Sequence, residues 1–128
     1  MGYWVVKTEP STYSYDDLAR EGTTVWDGVK NPVAVKHLRA MQPGDEVMLY
    51  HTGDEKAIVG LAKVVAQDPT LGLPKIKADR PVARPVTLAA IKADKTFADL
   101  ALVRQGRLSV LPVPPPQFQK LLRMCGAV

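Results

Sequence analysis

The sequence predicts an α+β fold, a mixed barrel of five to six short strands with peripheral helices. Three observations point there. Short β-branched and aromatic runs alternate with short helical patterns, Pro and Gly punctuate almost every junction, and no internal repeat or low-complexity tract is present. At 128 residues with 46% apolar side chains, the chain is long enough for one core, and residues 1–128 are read as a single domain.

Tyr3 to Thr8 reads as the first strand, stopped by Pro10. Ser14 caps a helix through about Arg20, with Asp17 completing a capping box and Gly22 as the stop. Thr23 to Trp26 is a short extended segment. Asn31-Pro32 places a cap before a proline at the first helical position, and this helix runs to about Met41 with Val35, Leu38 and Met41 on one stripe.

After the Pro43-Gly44-Asp45 turn, Glu46 to His51 and Ile58 to Ala66 form two neighbouring strands, and Gly60 marks a bulge or a close backbone approach. From Gln67 to Arg84, breakers at Pro69, Gly72, Pro74 and Pro81 accompany Lys75, Lys77, Arg80 and Arg84, so this stretch is expected as a mobile basic loop. Pro85 to Leu88 returns as strand, Ala89 to Lys92 and Phe97 to Leu102 as short helices, and Leu108 to Leu111 as the last strand. Pro112 to Pro116 is an extended connector, and Gln117 to Met124 a closing helix that buries Phe118, Leu121 and Leu122.

Composition narrows the chemistry. A lone Cys125 leaves no internal disulfide framework, and His37 and His51 match no zinc spacing, so no metal or other cofactor is expected. No apolar run nears the ~20 residues that cross a bilayer, and a cytoplasmic location with no membrane partner is expected. Residues 1–50 carry net −2 and residues 51–128 net +6. A basic half attracts phosphate by counterion release, which makes nucleic acid the leading partner class, although an ordinary solvated surface has the same composition.

Four segments combine polar and aromatic groups beyond what a core requires. Lys7-Thr8-Glu9 ends a strand, where a lysine reaches phosphate and a carboxylate accepts from a base amino group, or where the two simply form a surface ion pair. Trp26-Asp27-Gly28-Val29-Lys30-Asn31 offers a π-face beside a turn and a helix start, the alternative being a core tryptophan. His51-Thr52 ends another strand, with a merely hydrogen-bonded histidine as the plainer reading. Arg104, Gln105 and Arg107 suggest a forked phosphate clamp. Nucleophile elbows, P-loops, dinucleotide fingerprints and paired-histidine zinc motifs are absent, which lowers the expectation of an enzyme.

These segments, in this order and spacing, together with Tyr13-Ser14-Tyr15-Asp16-Asp17-Leu18, Gly44-Asp45, Tyr50-His51 and Ile58-Val59-Gly60, resemble the EVE domain family over essentially the whole chain. That family is a PUA-like group related to YTH domains. The resemblance implies a curved PUA-like β-barrel that holds one flipped-out nucleobase, with methylated or hydroxymethylated cytosine in DNA, or a modified base in RNA, as the ligand. It places Trp26 as the cage aromatic, Lys7, Thr8, Asp27, Asn31, His51 and Thr52 near the pocket, and Arg104 and Arg107 on the backbone-binding edge. The residue types add Glu9 to the expected pocket and Lys30 and Gln105 to the expected backbone-binding edge. The chain departs from the family pattern at Lys30, Pro32, Val35 and Gly106. The expected molecule is a monomeric reader and not an enzyme. Two alternatives stand beside it: an ASCH-like ribonuclease using Lys7, Glu9 and His51 as acid–base groups, and a module that binds a free nucleoside or small molecule.

Overall fold

β1 (Tyr3–Thr8) and β3 (Glu46–His51) lie side by side and parallel in the middle of the molecule. Val5, Val6, Val47, Met48 and Leu49 are fully buried, so both faces of this pair are covered, as a parallel pair requires. The structure is a computed structural model that describes residues 2–127. β2 (Thr23–Val25), β4 (Ala57–Gln67), β5 (Pro74–Thr87) and β6 (Val110–Pro112) complete one six-stranded mixed sheet in the order β2-β5-β4-β3-β1-β6. Every pairing but β1 with β3 is antiparallel.

The expected closure into a barrel is not found. Among the described residues β2 and β6 stand at opposite edges, with no ladder joining them. Each has only three residues, and α2 (Pro32–Ala40), which follows β2 in the chain, packs against β6. The expected basic loop is corrected as well, because residues 74–84 belong to β5, the longest strand. Around its first residues buried Ile76 alternates with exposed Lys75 and Lys77, the signature of a half-covered strand. Pro81 and Pro85 fit because the three residues of β2 pair only with Lys75, Ile76 and Lys77, leaving the rest of that edge without a neighbouring strand to need N–H donors. Three register shifts between β4 and β5 absorb the extra residues as bulges.

The helices carry their sequence signals. α1 (Tyr15–Glu21) has the full capping box, the Asp17 amide donating to Ser14 Oγ at 3.1 Å and the Ser14 amide to Asp17 Oδ2 at 2.8 Å. α3 (Leu88–Ala93) follows β5 directly, and the helix expected over Phe97 to Leu102 divides into a 3₁₀ turn (Lys95–Phe97) and α4 (Ala101–Arg104). α5 (Pro115–Met124) begins earlier than expected, since two prolines in its first turn lack only N–H groups that no helix start can use. No helix among the described residues is long and apolar enough to cross a membrane.

Two contacts bind α1 to the sheet. The Tyr15 hydroxyl donates to the Leu61 carbonyl at 2.8 Å, and its ring covers Gly60 so closely that a Cβ there would lie 2.2 Å from it. Behind β1, buried Asp45 accepts from the Gly2 amide at 2.8 Å, Trp4 Nε1 at 3.0 Å and the Gln42 amide at 3.0 Å. Burial alone would raise the Asp45 pKa, but these donors, the Gln42 amide first, outweigh it and hold the carboxyl below its usual range. A depressed folded-state pKa contributes stability above the unfolded value, near 4, that disappears as pH falls through the folded one. Asp45→Asn, which keeps one acceptor and loses the charge, is expected to cost about 2 kcal/mol at pH 7 in urea unfolding, and less at pH 3.

Candidate nucleic-acid interface

A cavity of about 520 Å³ opens where β1 ends, between the Thr8–Tyr13 turn and the segment after β2. The Thr8 hydroxyl donates to the Tyr13 carbonyl at 2.6 Å, and the amides of Thr12 and Tyr13 donate to the Glu9 carbonyl at 2.9 Å each, which fixes the near wall. Across from it the Trp26 amide donates to the Pro74 carbonyl at 3.0 Å and the Asp27 amide to the Val25 carbonyl at 3.0 Å. Gly28 follows at φ +81°, a conformation glycine adopts without strain, and it carries the chain around the lip to Val29. Tyr13 and Trp26 meet edge to face, their ring centres 5.9 Å apart at 78°.

Trp26 is only 7% exposed, packs within the core and also contributes to the cavity wall. Tyr13 was not among the residues singled out, although the Tyr-Ser-Tyr run contains the signal. Ser14 caps α1, Tyr15 on its helical side is buried, and Tyr13 on the other side is left to line the hollow. Partial burial, reinforced by the Glu21 carboxylate that accepts its hydroxyl, pushes the Tyr13 pKa up to about 12. The phenol therefore stays a donor at neutral pH.

The charged residues around this cavity are Lys7, Glu9, Glu21 and Asp27, one cation against three carboxylates. Glu9 takes the Ser11 amide at 3.2 Å and the Ser11 hydroxyl at 3.0 Å, which hold its pKa below the usual range. Lys7 donates from Nζ to the Gly106 carbonyl at 2.9 Å, so Lys7 and Glu9 turn to different partners. Partial burial lowers the Lys7 pKa. Such a lining repels phosphate and favours groups that donate hydrogen bonds.

The other expected site residues are dispersed. His51 accepts the Tyr15 amide at Nε2 (3.0 Å), so its proton sits on Nδ1, which meets Glu55 at 2.7 Å. It is buried and joins α1 to the β3 end, the plainer of its two readings. Thr52 faces a neighbouring hollow and donates to Glu9 Oε2 at 3.3 Å. Asn31 is the cap of α2, accepting from the amides of Val33 (2.9 Å) and Ala34 (3.1 Å), and it lines a separate shallow hollow with Gln105 and Arg107. Arg104 donates from Nε to the Ala98 carbonyl at 2.7 Å and lies 3.7 Å from Asp99, so it braces its own turn, while Lys30 is exposed. Among the described residues no three His, Cys, Asp or Glu side chains are grouped as a metal site.

A model of the EVE domain matches residues 2–124. The chain belongs to the EVE domain family. Among solved structures, an NMR structure of Rpa0253 from Rhodopseudomonas palustris superposes with a TM-score of 0.92 at 40% identity, covering 100% of this chain and 95% of that one. The human THYN1 protein in complex with 5-methylcytosine-containing DNA superposes with a TM-score of 0.85 at 26% identity, covering 97% of each chain. Thymocyte nuclear protein 1 of Rattus norvegicus is 39% identical over 77 residues, 51% of this chain and 34% of the rat protein. The EVE chain thus aligns with about a third of the length of that relative.

Proposed function

We propose that this chain binds nucleic acid and takes one extruded, modified base, of the 5-methylcytosine type, into the cavity that Tyr13 and Trp26 line. The observation that carries the reading is the pairing of aromatic walls with carboxylates in a hollow of about 520 Å³. A base presents a π-face and, in cytosine, an exocyclic amino group that a carboxylate accepts, whereas a phosphate would meet repulsion. The volume falls within the ~300–1,000 Å³ of ordinary ligand sites. Val25 and Val29 supply apolar wall against which a methyl group packs. The DNA held by the human relative supports the same ligand class. Lys30 and Arg107, both exposed, are assigned to the nucleic-acid backbone.

A ribonuclease built on Lys7, Glu9 and His51 finds less support, because both ring nitrogens of His51 are already engaged within the fold. The test is fluorescence anisotropy with oligonucleotides that differ only in one cytosine or 5-methylcytosine. One buried methyl, ~0.8 kcal/mol, sets the expected preference at about fourfold, with affinity falling as salt rises. Equal affinity for the two oligonucleotides, with no competition by free 5-methyl-2′-deoxycytidine, refutes the reading.

A further inference from the structure

A second hollow, of about 190 Å³, lies against the first and shares Lys7 with it. Its charged lining residues are Lys7, Lys56 and Lys92, and no carboxylate lines it. Tyr50 and Thr52 add hydroxyl groups. The charged groups on one side of Lys7 are therefore carboxylates, and those on the other are lysines, set there among Leu88, Leu102 and Val103.

Three different elements bring these lysines to one hollow. Lys7 is the penultimate residue of β1, and its ammonium bonds the Gly106 carbonyl and lies 5.5 Å from the centre of the Tyr50 ring. Lys56 has φ +45°, and among the described residues no other non-glycine residue has a positive φ. That left-handed conformation is strained for a lysine, and such strain concentrates where a binding site needs it. The Lys56 carbonyl accepts the Leu88 amide at 2.8 Å, which ties the loop to the start of α3. Lys92 stands four residues beyond Leu88, on the same helix face. The nearby carboxylates are occupied or lie outside the lining: Glu55 is on His51, and Glu9 is on Ser11 and Thr52, crowding Gly53 from the base-cavity side. Asp54 is exposed in the same loop and does not line the hollow.

We infer that this Lys7–Lys56–Lys92 hollow seats a phosphate, the one attached to the nucleotide whose base occupies the neighbouring cavity. The placement beside the base rests on the proposed function, while the anion seat itself rests on the lysines. Base cavity and anion seat divide the two chemistries of a nucleotide between them, with Lys7 at the junction. Three cations line this hollow with no carboxylate among its lining residues, and a phosphate seated there accepts charge-assisted hydrogen bonds from them.

The test compares 5-methyl-2′-deoxycytidine with its 3′- and 5′-monophosphates and with inorganic phosphate by isothermal titration at low salt. Wild-type protein and Lys56→Gln/Lys92→Gln are measured side by side. One of the two monophosphates is expected to bind wild type about 10-fold more tightly than the nucleoside, a gain of the size charged hydrogen bonds supply. In the double variant that gain falls below about twofold while nucleoside affinity is unchanged. Lys56→Gly, which releases the left-handed strain, is expected to raise Tm by ~2–5 °C and still lose part of the gain. Equal binding of nucleoside and both monophosphates to wild type, or a gain that survives in the double variant, overturns the seat. Lysine-dependent binding of inorganic phosphate, with no binding of the nucleoside, upholds the seat and removes the base reading.

Discussion

Trp26→Leu is expected to weaken binding of a 5-methylcytosine oligonucleotide by about 10-fold or more, the ~1–3 kcal/mol of one lost base–aromatic stack. Leucine is the informative replacement because the indole is only 7% exposed. Alanine would combine the loss of the stack with a cavity costing about 3–5 kcal/mol of stability, and weak binding would then reflect partial unfolding. Leucine keeps much of the apolar volume and removes the π-face. Trp26→Phe keeps a face and is expected to stay within about threefold of wild type, with the edge contact to Tyr13 partly preserved. Anisotropy titrations below the melting transition of each variant, with folding checked by circular dichroism, separate the effects. Wild-type affinity in a folded Trp26→Leu protein would confine the indole to the core.

Gly60→Ala is expected to destabilise the protein by about 3 kcal/mol or more, the upper range for overpacking a core. A Cβ at this position would fall 2.2 Å from two carbons of the Tyr15 ring. The ring has little freedom to retreat, since Tyr15 is 4% exposed, its hydroxyl is bonded to Leu61 and its amide to His51. The β4 backbone is also irregular there, with register shifts on both sides of the Gly60–Leu61 pairings with β5. Accommodation therefore requires α1 to lift, which also pulls on the His51 end of β3 beside the cavity. Chemical denaturation gives the size of the effect. A Tm within about 2 °C of wild type would show that the Tyr15 ring moves freely.

Gly60 also shows what kind of information the chain order holds. A glycine inside a β-branched run signals close backbone approach, and the approach is there, but nothing local names Tyr15 as the neighbour. The capping box at Ser14 and the Asn31-Pro32 start of α2 were legible because each depends on contacts within about four residues, and the first strand because its β-branched and aromatic residues favour extended backbone. β5 was not, because its prolines and lysines are ordinary loop residues until β4 supplies a ladder for one edge. The cavity was half legible. Trp26, Thr8, Lys7, Glu9 and Asp27 line it, whereas Asn31 caps a helix and His51 holds one.

By itself the amino-acid order determined the helix caps, most of the local elements other than β5, the mixed α+β class and the family, since caps, prolines and strand residues act on their immediate neighbours. Only the tertiary structure decided that the sheet stays open, that the cavity is acidic and the adjoining hollow basic, and which polar side chains are already engaged. The reason is distance along the chain: Lys7 meets its carbonyl partner 99 positions away and His51 its amide partner 36 positions away. Pairings of that range are set by how the strands assemble, and no local pattern encodes them.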